Sequence, residues 1–151
     1  MYTENGSPSI ALTREFIASF NTNDWHRLEA TLRDDVVYEE TGTGRQAEGA
    51  VEYIDCAREW KRALPDMRGT VRNAVAAGDS VAVEITWKGT NTGPFLGPSG
   101  TLRASGKPVI LQATLWFTLA GGRVQHARHY IDLISLLVQM GALRSSASAP
   151  V

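Results

Sequence analysis

Residues 107–141 read KPVILQATLWFTLAGGRVQHARHYIDLISLLVQMG. Apolar side chains alternate through KPVILQATLWFTL, as in a long strand with one buried face. The AGG at 120–122 supplies a hairpin turn, and a second strand leaves it at Arg123. Asp132 stands one residue before the apolar run LISLLVQM, where its side chain caps a short helix, and Gly141 provides its C-terminal stop. The second strand carries more than a sheet requires: two histidines, two arginines, a tyrosine and an aspartate fall within RVQHARHYID. Either they decorate a solvated face, or one of them points into a pocket.

Upstream, the pattern extends the same sheet. VAVEITWKGTN sets Val81, Val83, Ile85 and Trp87 on one face against Glu84, Thr86 and Lys88, and MRGTVRNAVAAGD reads as a strand and turn before it. TGPFLGPSG, at 92–100, reads as a Gly/Pro loop forming a lip or a contact between copies. It lacks the lysine and the strand-to-helix setting of a phosphate loop. Before Pro65 the period is helical. Tyr53, Cys56, Ala57, Trp60 and Leu64 form a buried stripe on a helix spanning roughly 49–64. DDVVYEETGTG alternates as a strand. Ahead of it, WHRLEATL is expected as a short helix capped by Asp24, with Trp25, Leu28 and Leu32 on one side. The first helix follows an expected Ser9 cap and buries Ile10, Phe16, Ile17 and Phe20. The first eight residues and SSASAPV at the other end are expected to fray.

Helices first and a run of antiparallel strands after them define the class as α+β. The expected architecture is a cone-shaped barrel, in which a curved, mostly antiparallel sheet wraps around a long helix. N-terminal helices and a short C-terminal helix complete it. The 151 residues suit one domain. With 15 Lys+Arg against 16 Asp+Glu and no basic block, the footprint of a nucleic-acid binder is missing. Apolar runs are too short to span a bilayer, and the opening residues lack the order of a signal peptide, so a soluble, cytoplasmic protein is expected. A single cysteine, Cys56, excludes an intrachain disulfide and a thiolate metal cluster, and on its helix it reads as filler.

Strand parity sorts the titratable groups. If His129 faces inward, so do Gln125, Ala127 and Ile131, while His126, Arg128, Tyr130 and Asp132 face out. His129 is then a lone imidazole in a dry pocket, able to titrate near neutrality. Glu40 shares its face with Val36 and Tyr38. It either pairs inside with His129 or Arg45, or sits at the mouth in a solvated salt bridge. Tyr53, Trp60, Trp87 and Phe117 are expected to line the cone and to favour a flat, largely apolar ligand. No two histidines share the spacing of a metal site, so neither metal nor cofactor is expected. The outward face, with Thr86, Gln112, Thr114, Trp116 and Tyr130, is apolar enough to suggest a homodimer.

The order helix–helix–strand–helix–four strands–helix resembles the α+β cones named after nuclear transport factor two. The chain looks most like their SnoaL-like polyketide cyclase branch. The pieces that carry the likeness are FNTNDWHRLEATLRDDVVYEE, EGAVEYIDCAREWKRALPDMRGTV, ITWKGTNTGPF, GGRV and HYIDLISLLVQMG, spread over roughly residues 9–143. In those cyclases the general acid/base is an aspartate three residues before a second acidic position. His129 takes the first place here and Asp132 the second, while Leu115 stands where the cyclases have a pocket histidine. The ketosteroid isomerases, a cousin family, place their base where Glu40 stands. Their oxyanion-hole pair falls on Phe16 and Leu115, which cannot donate a hydrogen bond.

The resemblance implies a cofactor-independent enzyme closing a ring on an aromatic polyketide or similar polycyclic ketone, with His129 and Glu40 as its acid/base pair. Tyr38, Tyr53, Trp60, Trp87, Leu115 and Phe117 would hold the substrate. A hydroxylase of the same family and a non-catalytic small-molecule binding module are the alternatives. An open site at His129 favours an enzyme, and a sealed cavity with a hydrogen-bonded His129 favours a binder.

Overall fold

A computed structural model describes residues 7–144; the expected frayed ends at 1–6 and 145–151 lie outside the described residues. Ser7 and Pro8 do not fray. Ser7 caps α1 (Pro8–Asn21) by accepting from the Ile10 amide at 3.3 Å, and Pro8 occupies the first turn, where its missing N–H goes unneeded. Ser9, the expected cap, therefore lies inside the helix. Asp24 caps α2 (Trp25–Ala30) through the Arg27 amide at 3.1 Å. This helix stops short of Leu32, because the Thr31 carbonyl already accepts from the Val124 amide of the sheet at 2.8 Å. Leu32 opens β1 (Leu32–Thr41) instead.

The remaining elements are β2 (Gln46–Glu48), α3 (Ala50–Ala63), β3 (Arg68–Ala77), β4 (Ser80–Thr90), β5 (Phe95–Gly97), β6 (Gly100–Leu102), β7 (Pro108–Ala120), β8 (Arg123–Ile131) and α4 (Leu133–Gln139). Asp132 caps α4 through the Ser135 amide at 3.0 Å, and Gly141 takes the left-handed φ of 75° that ends it. Six strands form one sheet in the order β2-β1-β8-β7-β4-β3. Every pairing in it is antiparallel except β1 with β8, which run parallel. Helix α1 packs against β3 and β4, and α3 against β1, β2 and β5. The expected α+β cone is the observed fold. Among the described residues no helix is long and apolar enough to cross a membrane.

Irregular pairing gives the sheet its curvature, and it corrects the parity reading in one place. Thr118 pairs with His126 and Leu119 with Val124, so Gln125 is the extra residue of a bulge. Val124, not Gln125, takes the inward position and is fully buried. Thr86 is also not on an open face. Arg72 Nε donates to its hydroxyl at 3.1 Å, and the hydroxyl donates to Gln112 Oε1 at 2.7 Å, so the neighbours cover it.

The stretch read as a Gly/Pro loop contains a small two-stranded ribbon, β5–β6, separate from the main sheet. Its base is rigid. Buried Asn91 donates to the carbonyls of Ala63 and Gly93 at 3.2 and 3.0 Å and accepts from the Ser105 amide at 2.7 Å. Gly93 passes so near α3 that an added Cβ would stand 1.9 Å from the Arg62 carbonyl oxygen. The ribbon is thereby held against the helix, and its Phe95 is driven completely into the interior.

Candidate active site

Period-two alternation on β1 turns Val36, Tyr38 and Glu40 inward, and all three are buried. The parallel register sets Glu40 opposite His129 of β8, and β7 sets Leu115 opposite His129 on its other side. From across the cone, α3 contributes Tyr53, Cys56 and Trp60, and β4 contributes Trp87. A cavity of about 20 Å³ lies between them, bordered by Tyr38, Tyr53, Trp60, Trp87, Leu115 and His129. That is room for about one water molecule. Phe117 is the one expected wall residue that does not reach it. It is fully buried behind, packed edge-on against Phe16 at 5.1 Å between ring centroids. Phe16, Phe20 and Met67 also border the cavity; the stripe on α1 signals the two phenylalanines, whereas nothing in the local pattern marks Met67.

His129 is not the lone imidazole that parity on its own strand implies. The Trp87 indole N–H donates to its Nε2 at 3.2 Å, and its Nδ1 lies 2.9 Å from the Tyr38 hydroxyl. The Tyr38 hydroxyl lies 2.5 Å from Glu40 Oε2, which also accepts from the Trp60 indole N–H at 2.8 Å. Thr43 donates its hydroxyl proton to the other oxygen, Glu40 Oε1. The directions of these bonds follow from the donor inventory. An indole N–H can only donate, so Nε2 holds the lone pair and Nδ1 the proton of a neutral ring. Nδ1–H then donates to the tyrosine oxygen, and the single phenolic proton is left for the carboxylate. Every proton in the chain points from Trp87 toward Glu40.

Burial lowers the His129 pKa from 6.5 to about 4, although the negative Glu40 acts the other way. Burial first, and then the Glu40 charge, pushes the Tyr38 phenol well above its ordinary value. Tyr53 is raised likewise, by burial and then by Cys56 and Glu40. Cys56 is half-buried, and burial first and then the Glu40 charge push its thiol up, which favours the neutral thiol.

Glu40 therefore sits inside and not at a solvated rim. Arg45, one of its two expected partners, stands with Nη1 3.8 Å from Glu40 Oε1, beyond hydrogen-bond reach. That nitrogen is buried without an acceptor. The guanidinium lies over the rings of Trp60 and Phe95, at 5.2 and 5.7 Å, and donates through Nη2 to the Leu96 carbonyl of the ribbon. Thr43 and Phe95 escape a sequence reading: one lies in a turn, the other in a stretch that looks like loop. On the outward face His126 Nε2 lies 2.7 Å from Glu39, well away from the cavity, as parity expects. Asp132 is the cap of α4. Among the described residues no group of three or more His, Cys, Asp or Glu side chains is arranged to hold a metal ion.

A family model described as SnoaL-like polyketide cyclase matches residues 11–140. No curated protein matches the sequence significantly. Solved structures of the same shape are numerous. A candidate SnoaL-like polyketide cyclase from Jannaschia sp. CCS1 superposes with a TM-score of 0.82 at 20% identity, covering 95% of this chain and 98% of its own. IdmH, a candidate polyketide cyclase from Streptomyces antibioticus, gives 0.76 at 23% identity, covering 90% and 99%. AclR, a candidate hydroxylase from Streptomyces galilaeus, gives 0.77 at 23% identity, covering 91% and 87%. At these identities the likeness is one of fold.

Proposed function

The chain belongs to the SnoaL-like polyketide cyclase family, and from that premise we propose that it is a cofactor-independent acid–base enzyme acting on an aromatic polyketide or similar polycyclic ketone. Its reaction is proton transfer alpha to a carbonyl, leading to intramolecular ring closure. His129 is the group that meets the substrate, with Glu40 as its partner, while Tyr38, Tyr53, Trp60, Trp87 and Leu115 hold the carbon skeleton. The observation that supports this most is the directed polar chain Trp87–His129–Tyr38–Glu40 inside an otherwise apolar cavity. A buried carboxylate with its own set of donors contributes little net stability compared with apolar packing. It is better explained by chemistry.

The cavity holds about one water, far below the few hundred Å³ of a ligand pocket, so substrate admission requires its walls to part. The same closure favours a second reading, a non-catalytic binding module, since both ring nitrogens of His129 are already engaged. Deuterium exchange separates the two. With 2-tetralone in D2O, the enzyme reading expects exchange at the alpha carbon well above the buffer rate, followed by proton NMR. Quenching of tryptophan fluorescence by the ketone without any exchange would establish the binder.

We also propose that the outward face pairs with a second copy. Ile110, Trp116 and Tyr130 are 50%, 40% and 45% exposed there. Light scattering at tens of micromolar is expected to give a dimer mass, and a monomer mass would refute it.

A further inference from the structure

His129 carries its proton under an unusual constraint. The ring is buried in the cavity wall, its basic nitrogen accepts from a donor-only indole, and its other nitrogen gives its proton to a phenol that in turn gives its own to a carboxylate. A proton arriving at Nε2 need not stay on the ring. We propose that His129 is a proton conductor and Glu40 the terminal base, with Tyr38 as the link between them.

This rests on the acid–base reading above, and it specifies where the charge goes. A ligand inserts between Trp87 and His129, with its alpha hydrogen toward Nε2. As the C–H bond breaks, the electron pair stays on the ligand as an enolate and the proton bonds to Nε2. The Nδ1 proton passes to the Tyr38 oxygen, and the phenolic proton passes to Glu40 Oε2. Imidazole and phenol end neutral, the ring now in its Nε2–H form, and one negative charge has moved from Glu40 to the ligand. The indole N–H of Trp87, freed from Nε2, is left to donate to the enolate oxygen. Return of the proton reverses each step.

Three observations favour this path over an imidazolium intermediate. The ring is buried in an apolar cavity, which opposes a charge on it and lowers its pKa to about 4. The donors needed for the transfer are already aligned, each within 2.5–2.9 Å of its acceptor between Nδ1 and Oε2. Glu40 also meets His129 through the Tyr38 hydroxyl and not by an ion pair, so the carboxylate is placed to receive the proton and not to hold a charge on the ring. The other titratable or charged groups facing the chain are Tyr53 and Cys56 from α3 and Arg45 from the turn before β2. Both α3 groups are pushed toward their neutral forms, and Arg45 supplies a fixed positive charge beside Glu40.

Tyr38→Phe tests the link, because it keeps the ring and removes only the oxygen that carries the proton. Exchange of 2-tetralone is expected to fall by about 10²-fold or more, with the binding constant from tryptophan quenching changed less than about threefold. Glu40→Gln is expected to lose exchange to a similar extent, while Glu40→Asp, which keeps the carboxylate, retains part of it, a rescue that a merely structural group would not show. Independently of turnover, nitrogen-15 NMR of His129 is expected to show a neutral Nδ1–H ring from pH 5.5 to 9. Folding of each variant is checked by circular dichroism. A charged or Nε2–H ring in the free protein overturns the proposal, as does a folded Tyr38→Phe with wild-type exchange, and the latter leaves the acid–base reading standing. A wild type that binds the ketone and exchanges nothing overturns both.

Discussion

Replacing His129 by alanine is expected to lower turnover of the substrate by roughly 10²–10⁴-fold, the usual contribution of one positioned proton transfer. The loss should fall on kcat, because the ligand-binding walls proposed above, Trp60, Trp87, Tyr53 and Leu115, border the cavity and are untouched. His126→Ala is the control. His126 sits on the same strand but faces outward, half-buried beside Glu39, and its removal is expected to leave turnover within about twofold of wild type. If the two variants lose activity equally, the damage is to β8 and not to a proton path. A His129→Ala protein with full activity would move the chemistry out of this cavity altogether.

The second large effect is on stability. The unfolded chain takes up the His129 proton at about 6.5, whereas the folded chain resists it down to about 4. Between those values the unfolded state holds more protons, so stability rises with pH through the window. The contribution is fully present above pH 6.5 and is lost as pH falls toward 4. Its size is roughly 3 kcal/mol at 1.36 kcal/mol per unit, which for a small domain is a large share of the total. Glu15 and Asp66 also have lowered pKa values, from the side-chain hydrogen bond to Arg27 and the Thr90 amide respectively. Their contributions are lost only below their unfolded values of 4.5 and 3.8, so neither falls away between pH 6.5 and 4.5. Urea melts at the two ends of that interval are expected to differ markedly for wild type and little for His129→Gln. Equal melts for wild type would show that water reaches the ring.

Much of the fold is legible because its signals are local. Period two in VAVEITWKGTN and KPVILQATLWFTL, the Asp24 and Asp132 caps and the stripe on α3 each depend on a few neighbouring residues. Inward placement of Tyr38, Glu40 and His129 follows from the same parity. The errors arise where tertiary pairing decides. Gln125 loses its inward place to a bulge that only the partner strand reveals. Leu32 leaves its helix because the sheet claims the Thr31 carbonyl, and the Phe95 ribbon is hidden among glycines and prolines. The site shows the same division. Its residues can be read from alternation, but the partners of His129 come from β1 and β4, and no periodicity within β8 can disclose them.

The parallel seam between β1 and β8 also bears on how the molecule assembles. The hairpins β3–β4 and β7–β8 join neighbours in the chain, so they can close early and at little loop entropy. Tyr38 and His129 are 91 positions apart, and they meet only when the seam zips. Contacts of such sequence separation are made late and slowly. Both hairpins can therefore pair while Tyr38 and Glu40 of β1 are still apart from His129 of β8. The Trp87–His129–Tyr38–Glu40 chain of hydrogen bonds is thus complete only when the seam as well as both hairpins have formed.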